Sequence, residues 1–105
     1  MKVTYRPPLD FFEDATLTLA EWLDKSDPQQ RIQKMATFMK SVVAVSRHPV
    51  WEWDLRCEPR VAYNPALDDT YFIFKIDNNG STFLVGDSLP LLNDTDPEDT
   101  MAVDV

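Results

Sequence analysis

Thr70-Tyr71-Phe72-Ile73-Phe74-Lys75-Ile76, then Asp77-Asn78-Asn79-Gly80, then Ser81-Thr82-Phe83-Leu84-Val85-Gly86, is the stretch on which the fold turns. Apart from Lys75, its first seven residues are aromatic or β-branched on both alternating faces, which suits a central strand covered from two sides. Asn79-Gly80 accepts positive φ at low cost, so Asp77 to Gly80 reads as a tight hairpin turn. Ser81 to Val85 then returns antiparallel, and Gly86 ends it.

Upstream, Arg60 to Tyr63 reads as another short strand, followed by the turn-like Asn64-Pro65-Ala66-Leu67-Asp68-Asp69. After Pro49 the period is two: Trp51, Trp53 and Leu55 share one face, and Glu52, Asp54 and Arg56 the other, which predicts a strand. Before Pro49 the period is helical. Ile32, Met35, Ala36, Met39, Val42 and Val43 form an apolar stripe that Phe38 widens, the side expected to face the core. Asp27 can cap this helix with Pro28 at its first position, and His48-Pro49 ends it near Arg47. Phe12, Ala15, Leu19, Trp22 and Leu23 predict an earlier helix from about Leu9 to Asp24, with Asp10, Glu13 and Asp14 near its positive end. The short link from Lys25 to Pro28 makes the two helices an antiparallel hairpin. Lys2 to Arg6 alternates as a first strand, stopped by Pro7-Pro8.

The expected architecture is α+β: an N-terminal strand and an antiparallel two-helix hairpin packed on a mostly antiparallel sheet, with an acidic C-terminal tail. Its 105 residues suit one domain, placed over 1–92, with 93–105 as a flexible acidic extension. Leu89, Leu91 and Leu92 are positioned to dock on the core.

The formal charge of −8 is unevenly distributed. Residues 1–49 carry seven basic and six acidic side chains, whereas residues 50–105 carry three basic and twelve acidic. That second half opposes unassisted binding to a phosphate backbone, which needs cations. Cys57 is the only cysteine, so no intrachain disulfide forms, and a reducing cytoplasm is the expected compartment. The N-terminus lacks the apolar run of a secretory signal, and no segment approaches the length of a membrane helix.

Catalytic chemistry has few places to reside. One His and one Cys make a metal site or a Cys–His nucleophile improbable, and two glycines build no phosphate-cradling loop. No cofactor or metal is expected. Arg56, Arg60, Tyr63 and Lys75 are the candidate catalytic residues: cations and a phenol on a sheet can stabilise a phosphate and shuttle a proton in metal-free RNA cleavage. Tyr71 belongs to the same group of sheet side chains. The ordinary alternative pairs the cations with Glu52, Asp54 and Glu58 and lets the tyrosines cover the core edge. Trp51, Trp53, Asp68, Asp69 and Asp87 are the candidate partner-binding residues, against an ordinary reading as core aromatics and solvated turn carboxylates.

Several strings, in order, resemble the ParE/RelE superfamily of toxin–antitoxin toxins. Val3-Thr4-Tyr5-Arg6-Pro7 before Leu9-Asp10-Phe11-Phe12 resembles the family's first strand and acidic-start helix. Trp22-Leu23-Asp24-Lys25-Ser26-Asp27-Pro28 resembles its helix junction, and Ser46-Arg47-His48-Pro49 its second helix end. Asp54-Leu55-Arg56 resembles the opening of its sheet, and Tyr71 to Asp77 with Gly80 and Phe83-Leu84-Val85-Gly86 its final hairpin. The resemblance spans about residues 3–86 and implies either gyrase poisoning or ribosome-dependent mRNA cleavage. Phe72 stands where the family often has arginine, and Asp87-Ser88 where a basic residue or histidine is common. Those departures weigh against RNA cleavage and less against action on a protein.

Three functions follow as expectations. The first is a ParE/RelE-like protein acting by protein–protein binding, held by a cognate antitoxin or diverged and non-toxic, with the antitoxin lying against the helix pair or the sheet edge. The second is an acidic inhibitor that mimics nucleic acid and occupies a basic host protein. The third is a metal-free ribonuclease. Direct nucleic-acid and membrane partners are not expected.

Overall fold

The computed structural model describes residues 1–6, 16–49, 51–53, 56–65, 68–76, 81–87 and 101–104. In chain order the elements are β1 (Lys2–Arg6), β2 (Leu17–Thr18), α1 (Leu19–Asp24), α2 (Pro28–Ser46), β3 (Arg60–Asn64), β4 (Asp69–Lys75), β5 (Thr82–Gly86) and β6 (Met101–Asp104). The strands form an antiparallel sheet in the order β2-β3-β4-β5-β1, with β6 added beyond β1. The class is α+β, as expected.

The opening stretch supplies the inner strands. β4 pairs with β3 on one side and β5 on the other, and all five residues of β5 are buried. Register then sorts the side chains. Val3, Val85, Phe72 and Val61 stand in one row across four strands, beside the row Tyr5, Phe83 and Phe74. This face meets Phe38, Ala44 and Val45 of α2 in the main core, with Leu19 and Trp22 of α1 packed against it. Each such fully buried side chain contributes about 1.5–3 kcal/mol. The row Thr4, Leu84 and Ile73 lies on the opposite face, where Ala62, Tyr71, Ile73 and Leu84 form a second small core.

Both helices start on reciprocal caps. The Thr18 hydroxyl accepts from the Glu21 N–H at 3.1 Å while the Glu21 carboxylate accepts from the Thr18 N–H at 3.2 Å. These hydrogen bonds from Thr18 hold the exposed Glu21 carboxyl below its usual range. Asp27 and Gln30 repeat the arrangement at α2, with Pro28 at the first turn. Cations of α2 then tie down the carbonyl end of α1: Arg31 Nε donates to the Leu23 carbonyl at 3.1 Å, and Lys34 Nζ to the Trp22 carbonyl at 3.0 Å. The Lys34 ammonium also lies 4.6 Å from the centroid of the Trp22 ring.

Four local expectations change. The first helix begins only at Leu19: Leu17 and Thr18 are extended and pair with Val61 and Arg60, and the remainder of the expected start, 9–15, lies outside the described residues. Thr18 in extended backbone is what its capping role requires. Trp51–Trp53 is not a strand. The Trp51 N–H bonds back to the His48 carbonyl and the Trp53 indole to the Cys57 carbonyl, so the period-two pattern comes from two rings entering the core out of irregular backbone. Of the expected stripe on α2 only Phe38 and Val42 face the core, where Ser41, Ala44 and Val45 join them, while Ile32, Met35, Ala36, Met39 and Val43 do not. Within the expected flexible extension, Met101–Asp104 is strand β6, whose backbone pairs Lys2 with Asp104 and Tyr5 with Met101. It occupies backbone groups that β1 would otherwise leave at an edge. Positions 93–100 and the Asp77–Gly80 turn lie outside the described residues, although the Ile76 N–H to Ser81 carbonyl bond closes the hairpin beside that turn.

Candidate functional site

The orientation of α2 leaves most of the apolar stripe that the sequence assigns to the core in solvent. Ile32 is 72% exposed, Met35 38%, Met39 51% and Val43 49%. These residues recur at steps of three or four, so they share the side of the helix turned away from Phe38 and Val45. Burying Phe38 brings its ring to 5.7 Å from Phe74 and 5.6 Å from Phe72, and the same orientation turns Ile32 and Met39 outward. A groove of about 500 Å³ runs along this side, lined by Met1, Ala36, Met39, Lys40 and Val43. Contiguous apolar surface of this kind marks an interaction site more often than scattered apolar side chains do.

The sequence-predicted catalytic residues are not gathered. Arg56 is exposed in the turn before β3. Arg60 is half-buried, its Nε donating to the Thr16 hydroxyl at 2.7 Å and its Nη2 to the Thr16 carbonyl at 2.9 Å. It stands opposite Ile73, and Lys75 two residues further along β4 shares that face. Tyr63 stands opposite Thr70, on the other face of the sheet. Its hydroxyl donates to Asp68 Oδ1 at 2.5 Å, and this bond raises the phenol above its ordinary value, with desolvation and the Asp68 charge adding to the effect. A phenol held protonated in this way is a poor base, and the sheet separates it from Arg60.

The predicted partner-binding residues divide. Trp51 and Trp53 are half-buried and pack against Phe74, with ring centroids 5.9 and 5.4 Å away. Asp68 is exposed at a left-handed φ of 47°. Asp69 is buried and its Oδ1 accepts from the Asp87 N–H at 3.3 Å, while the exposed Asp87 carboxylate lies 4.0 Å from the Met1 amino group. Asp69 and Asp87 therefore meet at one end of β4 and β5, and Asp68 is directed to Tyr63 instead. Beside Asp69 the Tyr71 phenol is raised, by burial first and by that carboxylate second.

Among the described residues, no three His, Cys, Asp or Glu side chains gather as a metal site. No described helix is long and apolar enough to cross a membrane. Ile32, Met35, Met39 and Val43 belong to a stripe that periodicity identifies and assigns to the core. The available signal was the second stripe through Phe38, Ser41, Ala44 and Val45, and the lack of any carboxylate between Pro28 and Ser46. Comparison with protein-family models, curated proteins and solved structures finds no match.

Proposed function

We propose that the protein is a ParE/RelE-like toxin–antitoxin module protein that acts by protein–protein contact, either as a toxin held by an antitoxin or as a diverged, non-toxic member. The observation that carries the binding part is the exposed apolar stripe of α2, a surface suited to a partner. The element order supports the family part: a first strand, two successive helices read as a hairpin, and antiparallel strands completing one sheet. A reducing cytoplasm is the compartment this reading assumes for the lone Cys57.

Inducible expression in a bacterial host tests it. Growth arrest relieved by the product of an adjacent reading frame is the expected result, and unimpaired growth at high expression removes the toxin version. The mimic of nucleic acid draws on the twelve acidic residues of the second half. Burial of Asp69 weakens it, since that carboxylate is turned into the fold, and Asp68 is engaged by Tyr63. A basic partner captured at low salt and released at high salt would favour it.

A further inference from the structure

We infer that the recess beside α2 is a small-molecule site for a free aliphatic carboxylate, its chain lying against Met1, Met39 and Val43 and its headgroup on Lys40. The site is separate from any protein contact and does not rest on the toxin reading. Its volume of about 500 Å³ falls within the range of small-molecule pockets, which are mostly apolar with a few placed polar groups. Ala36 to Val43 spans seven residue steps, about 10 Å of helix. Met1, packed against the main core, lines the recess from outside the helix.

The lining selects by what it lacks. Backbone groups in the interior of α2 are bonded to one another, and Met1, Ala36, Met39 and Val43 offer no strong hydrogen-bonding side chain. A sugar, a nucleotide or an extended peptide would lose water here without gaining replacement bonds. None of the described lining residues is aromatic, so a flat ring finds no stacking partner. An unbranched chain suits the walls, because Met1 and Met39 are themselves unbranched and adjust to follow a linear body.

Lys40 determines the headgroup. Its ammonium makes no hydrogen bond or ion pair among the described residues, whereas Arg31 and Lys34 on the same helix are directed to α1 carbonyls. No carboxylate stands between Pro28 and Ser46, and exposed Arg47 follows Lys40 by seven positions, over the same side of the helix. A locally positive rim thus borders an apolar recess on a chain of formal charge −8. The lysine stem lies along the wall while its charge reaches water, where a single anionic head meets it.

Titration of the whole chain with octanoate, decanoate and decanol, all below their aggregation concentrations, tests the site through the methionine-methyl resonances. Met1 and Met39 should shift saturably, and each added methylene should tighten carboxylate binding about fourfold. Decanoate should bind about tenfold tighter than decanol, and Lys40→Gln should remove that preference while leaving decanol unchanged. Met39→Glu, at an exposed position, should weaken decanoate at least about tenfold with the fold intact by circular dichroism. The absence of saturable shifts, an affinity independent of chain length, or equal carboxylate and alcohol binding overturns the proposal. So does self-association that Met39→Glu abolishes, which would give the recess to a second copy. Growth arrest, present or absent, bears only on the toxin reading, and the ligand titration bears only on this site.

Discussion

Asp69 closes over Gly86 at the end of the β4–β5 pair: a Cβ on Gly86 would stand 2.9 Å from Asp69 Oδ2 and 2.8 Å from the Tyr71 Cβ. The glycine is required here by space. Tyr71 Cβ is attached directly to the backbone of β4, so it cannot turn aside as a long side-chain tip would. Gly86→Ala should therefore cost about 1–3 kcal/mol, read as a lower urea midpoint with an unchanged slope. A variant as stable as wild type would show that the strands separate cheaply at this point.

Phe38 and Ile32 lie on opposing sides of the same helix, and substitution of each tests which side is the core. Phe38 is buried against Phe72, Phe74 and Trp53. Phe38→Ala should cost about 3–5 kcal/mol, a large share of the 5–15 kcal/mol that stabilises a typical domain. Ile32→Ala should change stability by no more than about 0.5 kcal/mol. Denaturant unfolding of both decides it, and a reversed order would restore the 32–39–43 stripe to the core.

That contrast also explains what the sequence could reveal. The pairing of the two strands between Thr70 and Gly86 was legible because two-sided apolar alternation is a local signal, and β4 and β5 occupy the interior of the sheet as it implies. The bounds of α2 were legible for the same reason, through Asp27-Pro28 and His48-Pro49. The side of α2 that packs was not. Two apolar stripes share the helix, and the choice depends on the aromatic floor formed by Phe72, Phe74 and Phe83, which is assembled only when distant strands pair. Trp51 and Trp53 mislead in a related way: they reach the core as the alternation suggests, but without a ladder. Arg60 and Tyr63 look like one catalytic group until the pleat puts them on different faces.

The Tyr63–Asp68 bond makes a titration prediction. Asp68→Asn removes the negative acceptor that raises the phenol, so the Tyr63 pKa should fall back toward about 10, followed by carbon NMR of labelled tyrosine. Stability should hold within about 0.5 kcal/mol, because asparagine tolerates the left-handed backbone of this turn. Asp68→Val keeps neither the acceptor nor that tolerance and should cost about 1–2 kcal/mol. An unmoved Tyr63 titration in Asp68→Asn would show that the hydrogen bond does not persist in solution.

His48 should give the fold an acid sensitivity above the range where carboxylates titrate. The imidazole is buried, with its ring centroid 5.5 Å from Tyr5 and 4.9 Å from Phe83, and desolvation holds it below the ordinary histidine value. The unfolded chain accepts a proton near pH 6.5, about the value of a solvated histidine, while the folded chain resists it. Stability is thus complete above that pH and declines as pH falls below it toward the lower folded value. One proton limits the slope to about 1.4 kcal/mol per pH unit. Urea unfolding between about pH 7 and 5 should show this decline in the wild type, since ordinary carboxylates protonate mainly below that window. His48→Phe preserves an aromatic ring between Tyr5 and Phe83 and removes the titrating group, so its stability should be nearly flat over the same interval. Equal slopes in the two proteins would assign the acid response to another group.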